Sequence, residues 1–117
     1  NLICRVVQAE IGNGTFDQKC NVASVIANRY YSKDFPSNWK DILFQKYDGV
    51  YQFSSIGNGS YKKVDVDKST IEAIEYAFTI GDTTNGATYF HSGKSKWHEN
   101  NLHFIFDDGK HKFYNVK

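Results

Sequence analysis

Thr15-Phe16-Asp17-Gln18-Lys19-Cys20-Asn21-Val22-Ala23-Ser24-Val25-Ile26-Ala27-Asn28-Arg29-Tyr30 decides how the rest of the chain is arranged. Thr15 and Gln18 have the spacing of a capping box, in which each side chain satisfies a backbone N–H left free at a helix start. Beyond the box, small and apolar residues occupy most sides, as befits a helix with neighbours all round it. The stretch before it, Asn1-Leu2-Ile3-Cys4-Arg5-Val6-Val7-Gln8-Ala9-Glu10, reads as a second helix stopped by Ile11-Gly12-Asn13-Gly14. Cys4 and Cys20 fall in these adjacent helices, which leaves a bridge and two buried thiols both open.

Downstream, Phe35-Pro36-Ser37 breaks the chain, and Ser37 is expected to cap a short helix through Trp39, Ile42 and Leu43. Gln45 to Ser55 is expected to be extended, with a polar loop at Gly57-Asn58-Gly59-Ser60. Asp67 or Ser69 starts another helix with Ile71, Ile74, Ala77 and Phe78 as its core stripe, and Gly81 ends it. There the pattern changes. Ala87 to His91 reads as a strand, while Leu102 to Phe106 and Lys112 to Val116 flank the hairpin signal Asp107-Asp108-Gly109-Lys110. Helices first and strands last predict one α+β domain over residues 1–117, a helical lobe with a short antiparallel sheet. A ligand cleft is expected between the two.

Composition narrows the function. A formal net charge of +1 on 117 residues lacks the basic excess of a nucleic-acid binder. No apolar run reaches membrane-spanning length and no signal pattern precedes the first helix, so a mature form or an excised domain is expected. Aromatic residues make up 16%, more rings than such a core needs, and a groove for polymeric carbohydrate would use the surplus.

Glu10 is the candidate catalytic residue. Ile3, Val7 and Glu10 share one helical face that is otherwise apolar. Burial there disfavours the carboxylate, and the negative end of the helix dipole pushes the same way, so the proton is retained as a general acid requires. A glutamate fraying into solvent at a helix end fits the same spacing. The histidines His91, His98, His103 and His111 raise a metal site, but His98 and His103 are five apart, where helical chelation needs four. No metal is expected. No nucleophile elbow or phosphate-binding loop occurs, and no cofactor is expected. Two-carboxylate glycosidases need a partner acid. Asp17, Asp34, Asp41, Asp48, Asp107 and Asp108 are available and none is marked by context, which favours a mechanism needing one carboxyl group.

A wider pattern then emerges. Arg5-Val6-Val7-Gln8-Ala9-Glu10-Ile11-Gly12, Val22-Ala23-Ser24-Val25-Ile26-Ala27-Asn28-Arg29, Phe35-Pro36, Gln52-Phe53-Ser54, Gly86-Ala87-Thr88-Tyr89-Phe90, Trp97 and Gly109-Lys110-His111-Lys112-Phe113-Tyr114 follow one another in order. Together they resemble the spore cortex-lytic cell-wall hydrolase family of the SleB/CwlJ type. Asn13 departs from it, standing where many members carry a second acid, as do Lys96 and the segment from Gly57 to Val64. The resemblance implies a small lysozyme-like, lytic transglycosylase-like fold. It also implies a peptidoglycan substrate cut between N-acetylmuramic acid and N-acetylglucosamine, with Glu10 as acid and then base. Gln52, Ser54, Thr88 and Tyr89 match positions that hydrogen-bond the sugars. Trp97 and His111 are further binding candidates, either of which serves equally as structural support. Strand alternation is expected to send Gln52 and Ser54 into the groove with Phe53 beneath. Such a protein acts outside the membrane, at the wall or spore cortex, with targeting supplied by a further domain or partner. A plain muramidase-type hydrolase and a non-catalytic glycan-binding module are the rival readings.

Overall fold

The capping box forms. Gln18 N–H donates to Thr15 Oγ1 at 3.1 Å and Thr15 N–H to Gln18 Oε1 at 2.9 Å, opening helix α2, Phe16–Tyr31. The computed structural model describes residues 1–47 and 49–117. Val22, Ala23, Val25 and Ile26 of α2 have no exposed surface, because helix α1 (Leu2–Ile11) packs Val6 and Val7 against the same core. Helix α5 (Lys68–Thr79) lies along α2 and contributes Ala77 to that core.

α5 corrects the expected stripe. Asp67 is its cap, accepting from Thr70 N–H at 2.8 Å, and the inward face is Thr70, Ala73 and Ala77. Ile74 and Phe78 pack beside that face, whereas Ile71 is exposed. Its place is taken by a polar seam. Thr70 donates to Gln8 Oε1 at 2.6 Å, and the buried Lys19 pairs with Asp67 at 3.2 Å.

Helix α3 (Trp39–Leu43) is capped by Asn38, not Ser37. Asn38 Oδ1 accepts from Asp41 N–H at 2.9 Å while its amide donates back to the Asp41 carboxylate at 2.7 Å. Strands β1 (Lys46–Tyr47) and β2 (Val50–Tyr51) pair antiparallel. The extended run expected through Ser55 stops early. Phe53 accepts from the N–H groups of Ile56 and Gly57, and the chain turns into helix α4, Ser54–Asn58. Gly57 and Asn58 are therefore helical, and Gly59 ends the turn at φ 78°, a conformation that favours glycine. A single 3-10 turn, Ser60–Lys62, follows.

The sheet has the order β3-β5-β4, antiparallel throughout, from β3 (Tyr89–His91), β4 (Leu102–Asp107) and β5 (Lys112–Val116). A bulge between Phe104 and Phe106 shifts the β4 register. Helix α6 (Lys96–Asn101), absent from the sequence reading, precedes β4 and carries Trp97 and His98. Ala87, Phe90 and Phe113 join Phe53 and the α2 residues in one core, the helical lobe plus antiparallel sheet that the sequence led us to expect. Cys4 and Cys20 are both free. Among the described residues no helix is long and apolar enough to cross a membrane.

Candidate active site

Glu10 sits on the last turn of α1, half-buried, facing the start of α4. Ser55 N–H donates to its Oε2 at 2.8 Å and the Ser54 hydroxyl to its Oε1 at 3.3 Å. Burial is the largest influence on this carboxyl group and raises its pKa; the Ser55 and Ser54 hydrogen bonds oppose that rise without cancelling it. The sequence conveys the burial but not the opposing donors, because Ser54 and Ser55 read there as the end of an extended run and not as the start of a helix.

The raised pKa has a defined sign. The folded state binds this proton more tightly than the unfolded chain does. The stability contribution is full below the unfolded pKa and disappears as pH rises through the folded value. Carboxyl-labelled NMR is expected to report a Glu10 pKa above that of a free glutamate; an unshifted or depressed value would refute the burial argument. Ser54→Ala, which removes one opposing donor from an exposed position, is expected to raise that pKa further and to slow turnover about three- to tenfold. The same titration, with kcat measured alongside, checks both.

Glu10 opens into a cleft of about 420 Å³ between the helical lobe and the sheet. Of the residues expected at the site, Gln52, Ser54, Trp97 and His111 line it with Glu10, while Thr88 and Tyr89 do not. Thr88 is buried behind the wall, its hydroxyl donating to Asn115 Oδ1 at 2.9 Å. Tyr89 points to the opposite face of β3, into a cluster with Leu102 and Tyr114. Phe90 instead reaches the cleft while packing 5.6 Å from the buried Phe53. Ser54, expected to touch sugar, spends its hydroxyl on Glu10.

Gln52 is held from behind. Its Nε2 donates to the Phe90 carbonyl at 2.6 Å and its Oε1 accepts from Arg29 Nη2 at 3.0 Å. A guanidinium only donates and a carbonyl only accepts, so the chemistry of the partners determines which way the amide faces. Arg29 has no exposed surface and, among the described residues, no carboxylate partner. Its Nε donates to the Thr88 carbonyl at 2.6 Å, and the rings of Phe35, Tyr47, Phe53 and Tyr89 surround it at 4.9–5.4 Å. Burial lowers its pKa to about 10, which still leaves it charged at neutral pH. The sequence reading gave Arg29 no role at the site. The available signal was a cation in step with Val22 and Ile26 on a face that is otherwise core.

His91 and His98 complete the far wall, with ring centroids 4.4 Å apart. Tyr114 Oη lies 3.1 Å from His91 Nε2, and Ser95 Oγ lies 2.7 Å from His98 Nδ1. Burial, followed by the charges of His91 and Arg29, pushes His98 down to about 4, so it is neutral at physiological pH. The sequence suggests these two rings only as metal ligands, because α6, which carries His98 to the end of the expected β3 strand, has no clear signal in it. Among the described residues, no three His, Cys, Asp or Glu side chains are grouped to hold a metal ion. Glu10 is the sole acidic residue lining the cleft among the described residues; Asp48, one of the partner acids considered above, lies outside them.

A family model for cell wall hydrolases matches residues 13–114. The chain belongs to the cell wall hydrolase family. The matched region begins just past Glu10 and takes in every other cleft residue named above. Among solved structures, this cell wall hydrolase resembles the catalytic domain of the germination-specific lytic transglycosylase SleB from Bacillus anthracis. The TM-score is 0.80 at 24% identity, covering 97% of this chain and 91% of that one. It also resembles the catalytic domain of the Bacillus cereus SleB protein, with a TM-score of 0.79 at 25% identity over 97% of this chain and 87% of that one. Comparison with curated protein sequences gives no significant match. The structural likeness covers nearly the whole chain and establishes the lysozyme-like fold of this cell wall hydrolase.

Proposed function

We propose that this chain is a peptidoglycan lytic transglycosylase that cuts glycan strands between N-acetylmuramic acid and N-acetylglucosamine. One observation carries the reading: a single half-buried carboxyl group with a raised pKa lines a sugar-sized cleft, with no second acid beside it among the described residues. A hydrolase of the two-carboxylate kind would need that second acid. Glu10 donates its proton to the bridging oxygen as the glycosidic bond breaks. The resulting carboxylate, steadied by Ser55 N–H and the Ser54 hydroxyl, then accepts the proton of the muramoyl C6 hydroxyl. That oxygen closes on C1, giving a 1,6-anhydro end and restoring the acid. No water is consumed.

Gln52, Trp97 and His111 are the proposed sugar contacts, with Trp97 offering an aromatic face. A peptidoglycan substrate implies that the work is done outside the membrane, at the wall or spore cortex. Mass spectrometry of digested peptidoglycan tests the proposal. Anhydro-muramoyl products are expected. Reducing ends would make the enzyme a plain hydrolase, and absence of products would leave a glycan-binding module.

A further inference from the structure

The cleft does not end at His91 and His111. Both residues also line an adjoining cavity of about 270 Å³, whose other walls come from the β4–β5 turn and the segment after β3. Lys94, Lys110 and Lys112 border it. In a chain whose net charge is only +1, that is a local concentration of cations. None of the three makes an ion pair within 4.0 Å among the described residues.

Among the described residues its acidic lining is Asp107 alone, opposite Lys112 in the β4–β5 register, with Oδ1 accepting from Gly109 N–H at 2.8 Å. The neighbouring Asp108 is spent elsewhere, on the Asn21 amide at 2.9 Å and the backbone N–H groups of Lys110 and His111. Gly93, at φ 71°, leaves open space where a side chain would otherwise stand.

We propose that this basic annex takes an anionic substituent of the strand held in the cleft, a carboxylate of the muramoyl lactyl group or of the peptide attached to it. The inference rests on the peptidoglycan reading above. Glycan backbones are neutral, so the cation cluster has nothing to recognise in the sugar chain itself. The muramoyl unit is where the strand carries its carboxylates. Phosphate polymers attached to a wall offer similar chemistry and are separated from carboxylates by the test.

The triple variant Lys94→Ala, Lys110→Ala, Lys112→Ala and the wild type are assayed on three substrates. These are native strands, strands stripped of phosphate polymer, and strands whose carboxylates are converted to neutral methylamides. Wild-type kcat/KM is expected to drop about tenfold on the neutralised strands, as three weak, water-screened contacts would give, and to be unchanged by phosphate removal. The triple variant is expected to show that same loss on native strands and no further loss on neutralised ones, and the wild-type preference should shrink at high salt. Equal rates for variant and wild type on native strands would overturn the annex. Equal variant losses on native and neutralised strands would do the same. A drop on phosphate removal alone would overturn the carboxylate assignment. If the wild type cleaves none of the three, the catalytic reading fails instead. Co-sedimentation with the same strands then decides the annex through the same differences in binding.

Discussion

Glu10→Gln is expected to lower wall-lytic activity by about two to four powers of ten, the usual consequence of losing a general acid. The substitution preserves shape. The carbonyl oxygen of the new amide can still accept from Ser55 N–H, whose 2.8 Å hydrogen bond ties α1 to α4, so the fold is expected to persist. Above the folded pKa of Glu10 the variant is expected to be slightly more stable than wild type, because a partly desolvated charge has been removed. Loss of turbidity in a peptidoglycan suspension reads the rate, and urea denaturation below and above that folded pKa reads the stability. Lysis at near wild-type rate would end the assignment of Glu10 as the acid.

Phe53→Ala is expected to destabilise the protein by about 3–5 kcal/mol, as for a fully buried aromatic ring truncated to a methyl group. Phe53 has no exposed surface and packs 5.6 Å from Phe90. Its ring also covers the Arg29 guanidinium at 5.4 Å, so truncation opens a cavity beside a buried charge. Gln52→Ala, one residue away, is expected to cost turnover as well as stability, because Gln52 lines the cleft and also gives the buried Arg29 one of its oxygen partners. Chemical denaturation and turnover of both variants separate the two. A Phe53→Ala protein within about 1 kcal/mol of wild type would contradict the packing described.

The sequence was most informative where local chemistry and tertiary packing agree. Thr15 and Gln18 announce α2 through contacts within one turn, and the strands expected on either side of Asp107-Asp108-Gly109-Lys110 form at Leu102–Asp107 and Lys112–Val116. It misled where a distant partner decides the outcome. Ser54 and Ser55 have no strong helical preference; their turn meets the Glu10 carboxylate, which lies 44 and 45 residues away in sequence. Ile71 looked like core until the Asp67 cap defined which face of α5 turns inward. Within the site, Glu10 was visible as an acid on an apolar face. Thr88 and Tyr89 were drawn to the cleft by motif position, whereas strand direction and the Asn115 hydrogen bond take them off it. Arg29 and the adjacent rings of His91 and His98 depend on contacts between elements, which no spacing rule conveys.

The Arg29 guanidinium bears on how this cleft would meet a designed molecule. It joins α2 to the Thr88 carbonyl and, through Gln52, to the Phe90 carbonyl, so the floor and the sheet wall hang from a single charged group. Parting those walls would leave the cation in an apolar space without its oxygen partners, a strongly unfavourable state. That part of the cleft therefore behaves as a stiff mould. A compound shaped to it would meet much the same surface on arrival and lose little affinity to induced rearrangement. For inhibitor discovery, the Gln52–Phe90 wall is the part of the cleft to treat as a fixed template.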